Sequence, residues 1–100
     1  MNFNEKNIDS SIIIEVSGDL DLDKTDEFRN QVFEAFDKEH KVVLDMSQVS
    51  YIDSSGISVL IESHQKAKDQ GKEFLILKPS EPVTSIIEIA KLDKFFIIEK

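Results

Sequence analysis

One hundred residues, 40% hydrophobic and 32% charged, suit one ordered globular domain spanning 1–100 with a single core, and exclude both a disordered chain and a two-domain one. Twenty acidic against twelve basic residues leave a net charge of −8, with Arg29 the single arginine. That excludes a phosphate-neutralising nucleic-acid binder and disfavours anionic membranes. An acidic protein of this kind is better matched to a protein partner with a basic or mixed face. There is no cysteine, so neither a disulfide framework nor a thiolate metal site is available. The N-terminus, Met1-Asn2-Phe3-Asn4-Glu5-Lys6, lacks an apolar leader and the apolar runs are short, so the expected location is cytoplasmic.

The periodicity changes repeatedly along the chain. Ser11–Ser17 is rich in β-branched residues and reads as a strand, hairpinned with Phe3–Lys6 across Asn7–Ser10. Gly18-Asp19-Leu20-Asp21 is expected to break it. Phe28, Val32, Ala35 and Phe36 then mark an amphipathic helix over about Lys24–Glu39, with Asp23 or Thr25 as candidate caps. Val42-Val43-Leu44 centres a buried strand over Lys41–Met46. A second helix carries Ile57, Leu60, Ile61 and His64 inward and ends at Gly71. Glu73–Leu77 is the next core strand, and Pro82 opens a helix whose expected inner face is Ile86, Ile89 and Ala90. Phe95–Ile98 closes the series. Strands alternating with helices after an initial hairpin predict an α/β fold. The expected architecture is a mixed, mostly parallel five-stranded sheet with helices mainly on one side.

The segment with chemical potential is Val49-Ser50-Tyr51-Ile52-Asp53-Ser54-Ser55-Gly56-Ile57, which joins a core strand to a helix. The plain reading is capping: Asp and Ser oxygens accept the unpaired amides of a helix's first turn, and Ile52 with Leu60 could staple loop to helix. The functional reading uses the same geometry. A serine hydroxyl at a helix N-terminus is exposed, the dipole tolerates an added phosphate, and the new charge would repel an acidic patch on a partner.

Gly18-Asp19-Leu20-Asp21, then Val42-Val43-Leu44-Asp45-Met46-Ser47, then Val49-Ser50-Tyr51-Ile52-Asp53-Ser54-Ser55-Gly56 together resemble the bacterial anti-sigma factor antagonists of the STAS superfamily over nearly the whole chain. The resemblance implies a STAS-like domain in which Ser54, directly after Asp53, is phosphorylated by an anti-sigma factor serine kinase. It implies reversal by an Mg/Mn-dependent serine/threonine phosphatase, and that the unphosphorylated form binds the kinase and frees a sigma factor. ATP and magnesium would belong to the kinase, so the chain itself is expected to need no cofactor and no metal. Asp53, Ser54, Ser55 and Gly56 are the implied partner-binding loop, with Asp21 and Asp23 as neighbouring contacts. Two departures are Ser58, where members usually carry a second glycine, and an expected lack of the terminal helix after Lys100.

Other chemistries are weaker. His64 falls on an apolar helix stripe and His40 near a helix end, too far apart in sequence for a zinc site. Ile52 stands where a nucleophile elbow needs glycine, and no basic residue flanks Ser54. With Gly18, Gly56 and Gly71 isolated there is no phosphate-binding glycine loop. The chain is therefore not expected to be an enzyme. Asp19, Asp21, Asp45 and Asp53 lack the lysine that a phospho-accepting receiver domain would need. The alternative is a non-switching STAS scaffold of a transport or stress-signalling complex, its loop a plain docking surface.

Overall fold

The computed structural model describes residues 2–100. The chain runs β1 (Asn2–Ile8), β2 (Ser11–Leu20), a 3-10 turn (Leu22–Lys24), α1 (Thr25–Lys38), β3 (Lys41–Ile52), α2 (Ser54–Asp69), β4 (Glu73–Leu77), α3 (Glu81–Ile89) and β5 (Ile98–Glu99). The five strands lie in sequence order, β1 antiparallel to β2 and every later pair parallel. This is the mixed, mostly parallel sheet expected from the alternation of strand and helix.

The hairpin turns on Asp9 and Ser10, both at positive φ (48° and 65°). Two such residues give the twist that lets β1 and β2 pair in full. With no glycine to mark it, the sequence predicts a longer turn, Asn7–Ser10.

The β-branched alternation of β2 sends Ile12, Ile14 and Val16 into the core, while Ser11, Ile13 and Glu15 stay half-exposed on the other face. Register carries the same division into β3 and β4, where Val42, Leu44, Phe74 and Ile76 join the core face. The face that α1 covers is fixed by aromatic packing: Phe3 stacks on Phe28 at 5.7 Å, and Phe36 meets Phe74 at 6.1 Å. On the opposite face Glu15 accepts from Asn4 at 3.0 Å and pairs with Lys6 at 3.4 Å.

Three boundaries depart from the sequence-based expectation, each for a physical reason. Gly18-Asp19-Leu20 does not end β2. Gly18 adopts φ 87°, the register with β3 shifts there, and the strand resumes to bury Leu20 completely. It is a bulge that only glycine accommodates without strain. β3 likewise continues past Met46 to Ile52, because the lengthened β2 accompanies it to the pair Leu20–Ile52. β5, in contrast, shrinks to Ile98–Glu99, since Phe95 and Phe96 are spent packing on His64 of α2, with ring centroids 4.6 and 6.0 Å away.

Helix ends follow their capping chemistry. Gly71, at φ 65°, lets Lys72 N–H reach the Ala67 carbonyl (2.8 Å) and Gly71 N–H that of Lys68 (3.3 Å). That closes α2 with a Schellman motif. Neither Asp23 nor Thr25 caps α1; Asp21 caps the short 3-10 turn that feeds directly into it. Pro82 is the second helical residue of α3, not the first, and its missing N–H is still one of the unpaired amides. Beyond Asp45, β3 outruns β4, and there Ser80 N–H donates to the Met46 carbonyl and starts α3 against β3.

The inner face of α3 is also corrected. Val83 and Ile87 are buried, Ile86 is half-buried, and Ile89 (81% exposed) and Ala90 lie outside. Four apolar residues between 86 and 90 admit two stripes, and the i, i+4 pair Val83–Ile87 is the one that meets the sheet. Ile87→Ala should therefore cost about 2–4 kcal/mol and lower the melting temperature clearly, whereas Ile89→Ala should change it little. Thermal unfolding of the two variants side by side checks this; equal effects would reverse the assignment.

Candidate functional site

β2 and β3 end side by side, with Asp19 opposite Tyr51 and Leu20 opposite Ile52. Each strand then enters a turn headed by an aspartate. Asp21 Oδ1 accepts from Asp23 N–H at 3.1 Å, and Asp53 N–H donates to the Leu20 carbonyl at 3.4 Å. Two acid-capped turns thus stand together at one end of the sheet.

Asp53 is the N-cap of α2, in extended conformation with φ −112°. Its Oδ1 accepts from Ser55 N–H (3.0 Å), Gly56 N–H (3.2 Å) and the Ser55 hydroxyl. Two of the four amides that a helix start leaves unpaired are satisfied by one oxygen. The same bonds, the Ser55 hydroxyl first, hold the carboxyl below the ordinary aspartate range; burial opposes them, and the amides of Gly56, Ser55 and Leu22 add to the lowering.

The two neighbouring serines differ sharply. Ser54, the first residue of α2, is exposed, and its hydroxyl has no hydrogen bond among the described residues. Its carbonyl accepts from Ser58 Oγ at 3.0 Å. Ser55 is half-buried, its hydroxyl donating to Asp53 and lying 3.1 Å from Thr25 Oγ1. Thr25, itself buried, is also 3.1 Å from the Asp21 carbonyl. So the cap that the sequence allowed to either residue type belongs to Asp53 alone, and Ser54 is left free of structural duty.

Gly56 is buried, and a Cβ there would sit 2.8 Å from Ile52 Cγ1 and 3.1 Å from Leu20 Cγ. Its role is close approach of α2 to the two strand ends. Ile52 and Leu60, the expected staple, are both buried in the common core. Ser58 lies on the exposed side of α2, away from Ile57 and Leu60, as the helical spacing demands.

The two strand ends and the turns they lead into also carry residues that the sequence reading missed. Leu22 is 72% exposed and Tyr51 49% exposed, two large apolar side chains next to the acidic turns. Their signal was present in the sequence as an apolar residue in an acidic run and an aromatic just ahead of the cap. Thr25 was read only as a possible cap. Asp23, on the 3-10 turn, is exposed, as are Asp19 and Asp26. Among the described residues no salt bridge involves Asp19, Asp21, Asp23 or Asp53. Arg29 is committed elsewhere, to Glu62 at 2.8 Å and Asp26 at 3.0 Å. His64 packs on Phe95 and Phe96, and His40 is exposed between α1 and β3.

Asp53→Ala should remove the cap at a cost of about 1 kcal/mol at neutral pH. Because the folded carboxyl titrates below its unfolded value, its contribution is present above the unfolded pKa and disappears as pH falls through the folded one. Denaturant melts of wild type and Asp53→Ala should therefore differ by a constant amount near neutrality and converge in acid. A gap that stays constant down to the acid limit would show that the charge on Asp53 carries none of the stabilisation.

Comparison with known proteins gives matches to a family model, to a relative by sequence and to solved structures. The model of the STAS domain family matches residues 2–100. An anti-sigma F factor antagonist of Paenibacillus polymyxa is 29% identical over 90 residues, 87% of this chain and 76% of that protein. Among solved structures, an anti-sigma factor antagonist from Mycobacterium paratuberculosis superposes with TM-score 0.87 at 20% identity, over 98% of this chain and 84% of that one. SpoIIAA shares the fold in its unphosphorylated form (TM-score 0.82, 18% identity, 99% of this chain and 89% of that one). In its phosphorylated form the Bacillus protein gives TM-score 0.77 at 16% identity, over 99% and 92%. With the family model satisfied from the first strand to the last, this chain belongs to the STAS domain family.

Proposed function

We propose that this chain is an anti-sigma factor antagonist switched off by phosphorylation of Ser54. The observation that carries the reading is the contrast between two adjacent serines on one capped turn: Ser55 is bound on both sides, Ser54 is exposed and unbonded. The relatives named above, one of them solved in phosphorylated and unphosphorylated forms, support the same role. In this reading the unphosphorylated chain binds an anti-sigma factor serine kinase and frees a sigma factor. An Mg/Mn-dependent phosphatase resets it, in the cytoplasm. The chain is a substrate and a binding partner, not an enzyme, and the kinase brings ATP and magnesium.

The physics of the switch is charge exclusion at an interface. Leu22 and Tyr51 offer apolar anchors, and Asp19, Asp21, Asp23, Asp26 and Asp53 form an acidic rim. The partner face that fits is an apolar recess bordered by Lys and Arg, with the rim steering encounter and the anchors holding it. A phosphate on Ser54 adds a charge of about −1.5 to −2 and its hydration shell among the anchors. With Arg29 already paired to Glu62 and Asp26, no arginine of this chain is free to neutralise it. The desolvation cost then falls on the complex. Asp21, Asp23 and Ser58 flank the same surface, with Ser58 facing the partner, while half-buried Ser55 and buried Gly56 shape the turn beneath it.

Two tests bear on this reading. The kinase captured from the native lysate by Ser54→Ala should bind Ser54→Ala and wild type with equal affinity in calorimetric titration, and Ser54→Asp at least about tenfold more weakly, a change of roughly 1.4 kcal/mol. Because Ser54 does not cap α2, Ser54→Ala should melt within about 0.5 kcal/mol of wild type. Equal affinity for wild type and Ser54→Asp would remove charge exclusion as the mechanism. Separately, Leu22→Ala and Tyr51→Ala should each weaken the same titration by about 1–2 kcal/mol with little change in melting temperature. Unaltered affinity in both would place the interface elsewhere.

A further inference from the structure

We infer that Thr25 decides which of the two adjacent serines can be phosphorylated, by holding the Ser55 oxygen out of reach. The inference rests on the proposed switch and adds to it the element that sets its site selectivity.

A serine accepts a phosphoryl group only if a lone pair of its oxygen reaches the γ-phosphorus of ATP. The new Oγ–P bond forms as the bond from the γ-phosphorus to the β,γ-bridging oxygen breaks, ADP leaves, and a base takes the hydroxyl proton. Both serines of the loop meet the kinase within one residue of each other, so exposure of the loop does not choose between them. Local geometry does. The Ser55 hydroxyl donates its proton to Asp53, a pairing that in isolation would prepare the oxygen for attack. One of its two lone pairs faces Thr25 Oγ1 at 3.1 Å. An oxygen in van der Waals contact leaves no room for a phosphorus to enter on that side.

Thr25 is itself fixed. It is 7% exposed, it begins α1, and its single hydroxyl proton is shared between the Asp21 carbonyl and Ser55 Oγ, each 3.1 Å away. When the proton points to Ser55 the contact is a hydrogen bond; when it points to the Asp21 carbonyl, burial of Thr25 alone keeps its oxygen against Ser55. The turn after β2 thereby shields the second serine of the turn after β3. Ser54 has no such neighbour among the described residues, and its hydroxyl is the one left accessible. Thr25 is thus a positioning residue: it touches neither ATP nor the phosphate, and acts through Ser55.

The test removes Ser54 and then the shield. Wild type, Ser54→Ala, Ser54→Ala/Thr25→Ala and Ser54→Ala/Thr25→Ser are incubated with MgATP and the kinase captured under Proposed function. Phosphate is located by mass spectrometry. Wild type should carry it on Ser54 and Ser54→Ala should stay unmodified. Ser54→Ala/Thr25→Ala should gain phosphate on Ser55, at roughly fivefold or more above the detection background that unmodified Ser54→Ala sets, the factor expected for losing one neutral hydrogen bond. The Thr25→Ser version, which restores the hydroxyl, should return to the unmodified state. In parallel, the side-chain couplings of Ser55 measured by NMR should report one rotamer in wild type and Thr25→Ser, and averaging in Thr25→Ala. Phosphate on Ser54 of wild type with none on Ser55 of the double alanine variant, or an unaveraged Ser55 in Thr25→Ala, would overturn the shielding role. No phosphate on wild type at all would overturn the functional reading on which it rests, and the two failures are distinct.

Discussion

The Asp53 carboxylate is the interaction on which the rest of the site depends. One oxygen collects two backbone amides and a hydroxyl at the point where β3 becomes α2. Those donors would otherwise be stranded at a helix start, so the bonds serve stability before they serve anything else. The consequence for function is indirect. Because Asp53 caps the helix and Ser55 is drawn into the same cluster, the residue between them is turned outward with its hydroxyl uncommitted. Helix formation and presentation of Ser54 are one event.

The cluster holds its place through the unusual length of two strands. β2 survives its own glycine by bulging at Gly18, and β3 follows it to Ile52. Leu20 and Ile52 then form a floor so close under α2 that Gly56 is the only side-chain choice that fits without displacement. The turn is thus clamped between the floor, Asp53 and Thr25. A clamped turn suits a switch whose two states differ by a phosphate and not by a fold: added charge alters what can approach while the clamp keeps the domain as it was. Acidic groups outnumber basic ones on the two turns, and the one arginine is engaged by Glu62 and Asp26.

Much of this was legible in the sequence, and the parts that were not share a cause. Alternation in Ser11–Ser17 and the stripe Phe28, Val32, Ala35, Phe36 are strong local signals, and strands alternating with helices imply the mixed, mostly parallel sheet. The Asp53-Ser54-Ser55-Gly56 turn was readable because capping chemistry is local. Gly18 misled because a glycine after a strand marks a turn and a bulge equally well, and only the partner strand decides between them. The inner face of α3 was ambiguous because Val83, Ile86, Ile87 and Ile89 permit two stripes, and the sheet selected Val83 and Ile87. Thr25 beside Ser55, and Leu22 and Tyr51 around the loop, are products of tertiary structure. Thr25 and Ser55 sit thirty residues apart along the chain and meet only because β2 and β3 end together.

In the proposed switch, phosphate at Ser54 changes the surface and leaves the clamp intact. Amide chemical shifts of uniformly labelled protein, before and after stoichiometric phosphorylation, test it most directly. Changes confined to Leu22 and to residues 51–58, with β4 and α3 unmoved, are the expected result. Shifts spread through β4 and α3 would contradict it, and would mean that the phosphate acts by refolding the domain.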